Sequence, residues 1–250
     1  MLTLNYPHVR PSLQPERLRK EEIWQVGEAA RFQICGVTQR PKVDVARIVA
    51  RSRNLKVNGL CFEAHWELGL PVTDDAGNPV MGAVEYDESW PMAAMIYVNA
   101  EVIGDRDDLT RSTCVHELGH AIFDAPAWIA RAQVRPDRAE PDLPRHFQQQ
   151  VAGKEEPKLA IEWPEWRANE FMGAFLAPRR LLHRYMHKRA AALRIPMVAA
   201  GHGNALPIIN GDKAGFDAIE TLAIELAEIF GVSISFTQVR LRKYGLISAQ

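Results

Sequence analysis

The stretch His116-Glu117-Leu118-Gly119-His120 constrains this chain more than any other, because it sets two histidines four residues apart with a glutamate directly after the first. On an α-helix, four residues advance about 400° around the axis and about 6 Å along it, so both imidazoles share one face and can reach one tetrahedral ion. Glu117 lies roughly 100° further round, where it flanks such an ion as a base for water. The surroundings read as a helix. Leu109, Val115, Leu118 and Ile122 recur at helical spacing, Asp107 or Asp108 is placed to cap the start, and Pro126 is placed to stop the helix just after Asp124. Cys114 points away from the ligand face and reads as packing.

An open metal site needs a third protein ligand, and the search runs downstream. Glu165 opens a second helical pattern, through Ala168, Phe171, Met172, Phe175 and Leu176 to Pro178. Asn169 shares its face one turn on, where an amide can orient a ligand. Glu162 and Glu170 are the rivals. Glu162 precedes Pro164 and should lie outside the helix, and Glu170 points well round from Glu165. Spacing alone also permits Glu165 to be an N-terminal charge stabilised by the helix dipole.

Around these helices the chain reads as α+β. Leu18–Cys35 is expected to be a helix ended by Gly36, and Val43–Ser52 another capped by Asp44, with Val45, Ile48 and Val49 buried. Leu60, Phe62, Ala64 and Trp66 alternate with Cys61, Glu63 and His65 as in a half-buried strand. The run 71–79, centred on Asp74-Asp75-Ala76-Gly77-Asn78, is turn chemistry, and Val80–Tyr86 and Ala94–Val98 complete a small antiparallel sheet. Residues 124–164 carry Pro126, Pro136, Pro141, Pro144, Pro157 and Pro164 with little periodicity, and read as a lid or insertion in which Arg145 and His146 are the candidates to face the cleft.

Downstream, Arg179–Leu193 forms a basic amphipathic helix. Its His183 and His187 repeat the four-residue spacing, but with no glutamate between them and no third ligand they do not make a second metal site. Ile195–Gly215 reads as a linker, and Phe216–Phe230 as a helix buried through Phe216, Ile219, Leu222, Leu226 and Phe230 and ended by Gly231. Beyond it Ser233 can cap one more helix, although Val232, Ile234 and Phe236 also fit a strand. The division expected is 1–194 for a catalytic domain and 195–250 for a linker and small helical segment.

Composition narrows the partners. A 250-residue chain, 47% hydrophobic and 24% charged with a formal net charge of -1, has the makings of a full core and no global field to recruit nucleic acid or an anionic membrane. No stretch has the length and apolarity of a membrane span, Met1–Lys20 lacks a signal-peptide core, and Cys35, Cys61 and Cys114 are an odd set suited to reduced thiols in a cytoplasm.

Arg111, Thr113 and the His116–His120 motif, followed by Glu165, Ala168-Asn169, Phe171, Ala174 and Leu176–Pro178, resemble the ImmA/IrrE family of metallopeptidases. That family carries an HELGH helix and then E-x-x-A-N-x-F-A-x-x-L-x-x-P. The resemblance runs from the sheet to Pro178 and, more loosely, into the C-terminal region. It implies a zincin-like core of gluzincin kind, zinc held by His116, His120 and Glu165, and Glu117 as catalytic base. It further implies a cytoplasmic endopeptidase whose protein substrate is a helix-turn-helix repressor or antitoxin, in stress response or mobile-element control. Three departures stand out: Ser112 replaces an aromatic, Gly173 stands where the family carries Ala, and the span from Ala121 to Pro164 is long.

In this resemblance Gly231-Val232-Ser233, Val239-Arg240-Leu241 and Tyr244-Gly245-Leu246 look like the helix-turn-helix-like segment that follows the peptidase core. Arg240, Arg242 and Lys243 would be its DNA-facing cations. Three such charges give a salt slope of only about three, so the segment is expected to complete the fold and hold a partner protein rather than DNA. The alternative reading is a DNA- or partner-binding transcriptional regulator with a structural or vestigial zinc site.

Overall fold

The computed structural model describes residues 1–36, 40–134, 163–199 and 206–248, and the backbone of 146–147. In chain order the elements are β1 (Leu2–Leu4), β2 (His8–Val9), β3 (Gln14–Pro15), α1 (Lys20–Cys35), α2 (Val45–Ser52), β4 (Asn54–Val57), β5 (Leu60–Leu68), β6 (Gly82–Glu85), β7 (Ala93–Val98), α3 (Ala100–Ile103) and α4 (Asp107–Phe123). They continue with α5 (Ala125–Val134), β8 (His146–Phe147), α6 (Trp163–Leu176), α7 (Arg179–Ala192), β9 (Met197–Val198), β10 (Ile208–Ile209), α8 (Phe216–Phe230) and α9 (Ile234–Lys243).

Among the described residues the main sheet runs β1-β4-β5-β7-β6-β8. It is mixed, not antiparallel as expected. β1 lies parallel to β4 and β5 parallel to β7, whereas β4–β5, β6–β7 and β6–β8 are antiparallel. A tight turn, Asn58-Gly59, joins β4 to β5, but β5 and β7 are separated by the whole Asp74 turn and β6, a length of chain that permits a parallel return. In that turn Asp74 accepts from the backbone N–H of Ala76 and Asn78, and Gly77 takes φ 82°.

Phe62 and Ala64 of β5 and Ala94, Ile96 and Val98 of β7 are buried, and α4 packs on β6 and β7. On its other side α4 meets α6, which also packs on α1. Sandwiched in this way, α4 is buried without a break from Thr113 to Phe123, so its apolar residues do not form the single stripe that an amphipathic surface helix shows. Close approach explains two of the glycines. A Cβ on Gly119 would stand 3.1 Å from Cα of Ala168, and one on Gly27 would stand 2.9 Å from the carbonyl oxygen of Phe171. One apolar core runs through α1, the sheet, α4, α6, α7 and α8.

Several local expectations change. Asp107 and Asp108 do not cap α4: Arg106 is the N-cap residue, and the two carboxylates lie inside the first turn, where they complement the dipole while Asp108 pairs with Arg106 at 2.8 and 2.9 Å. Pro126 does not lead into a loop. It sits in the first turn of α5, where its missing N–H has no helical partner to lose, and Trp128 and Ile129 bury that helix's inner side. Residues 124–164 therefore begin as helix; Arg145, Glu162 and the rest of 135–145 and 148–162 lie outside the described residues, and His146 is placed as backbone in β8. The stretch read as a linker contributes the antiparallel pair β9–β10, with Ile209 buried. Ser233 caps a helix rather than opening a strand, its hydroxyl accepting from the N–H of Phe236 at 3.1 Å. Phe216 is 75% exposed, because it lies in the first turn of α8 beyond the reach of the core. No helix among the described residues is long and apolar enough to cross a membrane.

Candidate metal centre

α4 supplies His116 and His120, and α6 supplies Glu165 from its first turn. Nε2 of His116 lies 3.1 Å from Nε2 of His120, Oε1 of Glu165 lies 3.2 Å from Nε2 of His120, and Oε2 lies 3.4 Å from Nε2 of His116. The three side chains form a group that can hold a metal ion. Ligand bonds of about 2.0–2.1 Å to a tetrahedral ion place neighbouring donors about 3.3–3.4 Å apart, so two imidazole nitrogens and a carboxylate at these separations fit such an ion. Both histidines are buried, while the Glu165 side chain is 30% exposed, which leaves an approach to the cluster from the α6 side.

The neighbours fix these ligands. Asp124, the residue at the C-terminal cap of α4, accepts from Nδ1 of His120 at 2.8 Å and receives Arg167 of α6 on its other oxygen at 2.5 Å. With the proton on Nδ1, the Nε2 lone pair of His120 faces the cluster. Sequence reasoning did not assign Asp124; the signal was available in the spacing His120-x-x-x-Asp124, which places both on one helix face. Asn169 hydrogen-bonds through its side chain to His116, as expected of an amide that orients a ligand, and it has a second contact. Its amide also donates to the backbone carbonyl of Glu165 at 2.8 Å, bracing the turn that carries that carboxylate.

Electrostatics agree with a cation-shaped site. Burial resists charge on His120, yet its hydrogen bonds to Asp124 and Glu165 raise its pKa to about 10. Burial lowers the pKa of His116, only partly offset by Glu165. Glu165 itself is buried, but the two imidazoles hold it far below the ordinary carboxylate range.

Glu117 is fully buried, and burial pushes its carboxyl up to about 8. Among the described residues neither of its oxygens, nor Nδ1 of His116, has a hydrogen-bond partner. Its position follows from β6. A Cβ on Gly82 would come within 2.7 Å of Oε1 of Glu117 and 2.7 Å of Cγ2 of Thr113, so the start of β6 rests directly on this face of α4.

The other candidates are elsewhere. Glu170 is buried against Trp24, Arg240 and Lys243, away from the cluster. Cys114 packs with Met81, Val98 and Ile103. His65 pairs with Glu63 at 3.2 Å and meets Trp90 edge to face, and His183 meets the carbonyl of Pro207 at 2.9 Å. A cavity of about 730 Å³ opens behind Asp124, lined also by Arg17, Trp128, Trp163 and Arg167, and includes none of His116, Glu117, His120 and Glu165. No protein-family profile, curated protein or solved structure matches the chain.

Proposed function

We propose that this chain is a zinc-dependent endopeptidase of the ImmA/IrrE kind, with a zincin-like core formed by the sheet, α4 and α6. The observation that carries this reading is the convergence of His116, His120 and Glu165 at 3.1–3.4 Å beside a buried Glu117 whose oxygens have no partner among the described residues. A purely structural zinc site is closed by four protein ligands and has no use for a carboxylic acid beside three.

Bound by those three side chains, zinc supplies Lewis acidity to a water and to the scissile carbonyl. His116 and His120 present Nε2, with His120 held in tautomer and orientation by Asp124 and Arg167. Glu117 accepts the proton of the attacking water and returns it to the leaving amine. The partly exposed side of Glu165 is the approach for substrate, and the buried walls around Glu117 exclude bulk water.

The resemblance that motivates this reading also supports a protein substrate, a helix-turn-helix repressor or antitoxin, in a cytoplasmic setting. Against the regulator alternative stands the placement of the C-terminal cations. Arg240 is buried, Arg240 and Lys243 both bind Glu170, and only Arg242 of the three is exposed. Glu117→Gln tests the proposal. It keeps shape and ligands, so zinc content should stay at that of wild type while cleavage of a partner repressor, followed by mass spectrometry, disappears. Cleavage at the wild-type rate by this variant would sink the mechanism.

A further inference from the structure

Two buried arginines tie the C-terminal helices to the two helices that carry the metal ligands. Arg111 of α4 donates from Nε to the carbonyl of Val43 at 2.6 Å, and its Nη1 reaches the carbonyl of Gly231 in the turn between α8 and α9. Arg240 of α9 is 3% exposed. Its Nη1 donates to Oε2 of Glu170 at 2.8 Å and its Nη2 to the backbone carbonyl of Asn169 at 2.8 Å. Trp24 donates to Oε2 of Glu170 at 2.7 Å, and Lys243 holds Oε1. The chain then continues toward the site, since the Asn169 amide donates to the carbonyl of Glu165.

The backbone of α6 is shaped for this arginine. A Cβ built on Gly173 would lie 1.8 Å from Cζ and 2.0 Å from Nε of Arg240, so the guanidinium lies flat in the space that a side chain would fill. Burying an arginine and a glutamate together is compensated only when their hydrogen bonds are met in specific geometry, so such a pair fixes one arrangement of the elements that carry it.

We infer that Arg240, with Arg111, is a positioning residue for the metal centre. The α8–α9 pair grips α4 through Gly231 and α6 through Glu170 and Asn169, and so sets the separation of the histidine pair from Glu165. This rests on the metal-binding reading of the site and adds to it a role for the C-terminal segment, as a clamp on the ligand helices rather than a free reader of DNA.

Three variants test it. Gly173→Ala leaves every charge and hydrogen-bonding group present, but its Cβ displaces the guanidinium, a movable side-chain end. Arg240→Lys keeps a charge for Glu170 and loses the second arm to Asn169. Arg242→Ala removes an exposed cation from the same helix and serves as control. Each is examined for folding by circular dichroism, for zinc affinity by chelator competition, and for the d–d absorption of the cobalt-loaded protein. The clamp predicts zinc affinity about tenfold or more weaker in folded Gly173→Ala and Arg240→Lys, with altered cobalt bands, and wild-type behaviour for Arg242→Ala. Wild-type affinity and cobalt bands in both folded variants would overturn the clamp and leave the metal reading standing. A wild-type protein that takes up neither metal would overturn the metal reading and the clamp with it.

Discussion

Oδ2 of Asp124 lies 2.8 Å from Nδ1 of His120, one helical turn along α4, and its partner oxygen lies 2.5 Å from Arg167 of α6. The carboxylate thus fixes the histidine's tautomer and at the same time joins the two ligand-bearing helices. Asp124→Asn keeps the shape but loses the charge that holds the Nδ1 proton. Zinc affinity should fall roughly tenfold to a hundredfold, read by chelator competition on folded protein. An unchanged dissociation constant would show that His120 needs no such partner.

Gly82 is where the sheet meets Glu117, with room for no Cβ: the nearest atoms would be Oε1 of Glu117 and Cγ2 of Thr113, each at 2.7 Å. Gly82→Ala should therefore displace Glu117 while leaving His116, His120 and Glu165 in place. A misplacement of about 1 Å at a reacting group reduces turnover on the order of a hundredfold, so activity should drop by that factor with zinc content unchanged. Turnover equal to wild type would mean that β6 does not seat the base.

Glu170 provides a pH-dependent signature. Burial raises its pKa, but Arg240 and Lys243, helped by Trp24, carry it down to about 2. With a folded pKa below the unfolded value of 4.5, its contribution to stability is present above about pH 4.5 and is lost as pH falls toward 2. Glu170→Gln strands Arg240 in the interior, so it should destabilise the protein by roughly 3 kcal/mol at pH 7. In urea unfolding the gap between wild type and variant should narrow steadily between pH 4.5 and pH 2.5. A gap that is constant with pH would show that the carboxylate is not ionised in the fold.

The helices were legible because their signals are local. Asp44 caps α2 through the N–H of Ala46 at 3.0 Å, Gly36 and Gly231 end α1 and α8 with φ of 72° and 65°, and the 3.6-residue period locates α4 and α6 with the three candidate ligands His116, His120 and Glu165. The sheet was less legible. β1 and β4 are too short to show an alternation, and the parallel pairings Leu2–Leu55 and Glu63–Ala93 join segments that no turn signal connects. Phe216 reads as core by residue type, yet periodicity reports a direction around a helix and not the depth to which that turn is covered. Arg240 and Lys243 illustrate the same limit for charge. As a cluster with Arg242 they suggest a surface for phosphates, but their destination is set by Glu170 on a distant helix, which no local pattern reveals.

The central claim is that Glu165 joins the two histidines as a metal ligand. The most direct measurement is zinc content and affinity of purified wild type beside Glu165→Ala, by mass spectrometric metal analysis and chelator competition. The account predicts about one zinc per wild-type chain and loss of most of it in the variant, with folding retained. A Glu165→Ala protein that keeps full occupancy at wild-type affinity would contradict the account and remove Glu165 from the site.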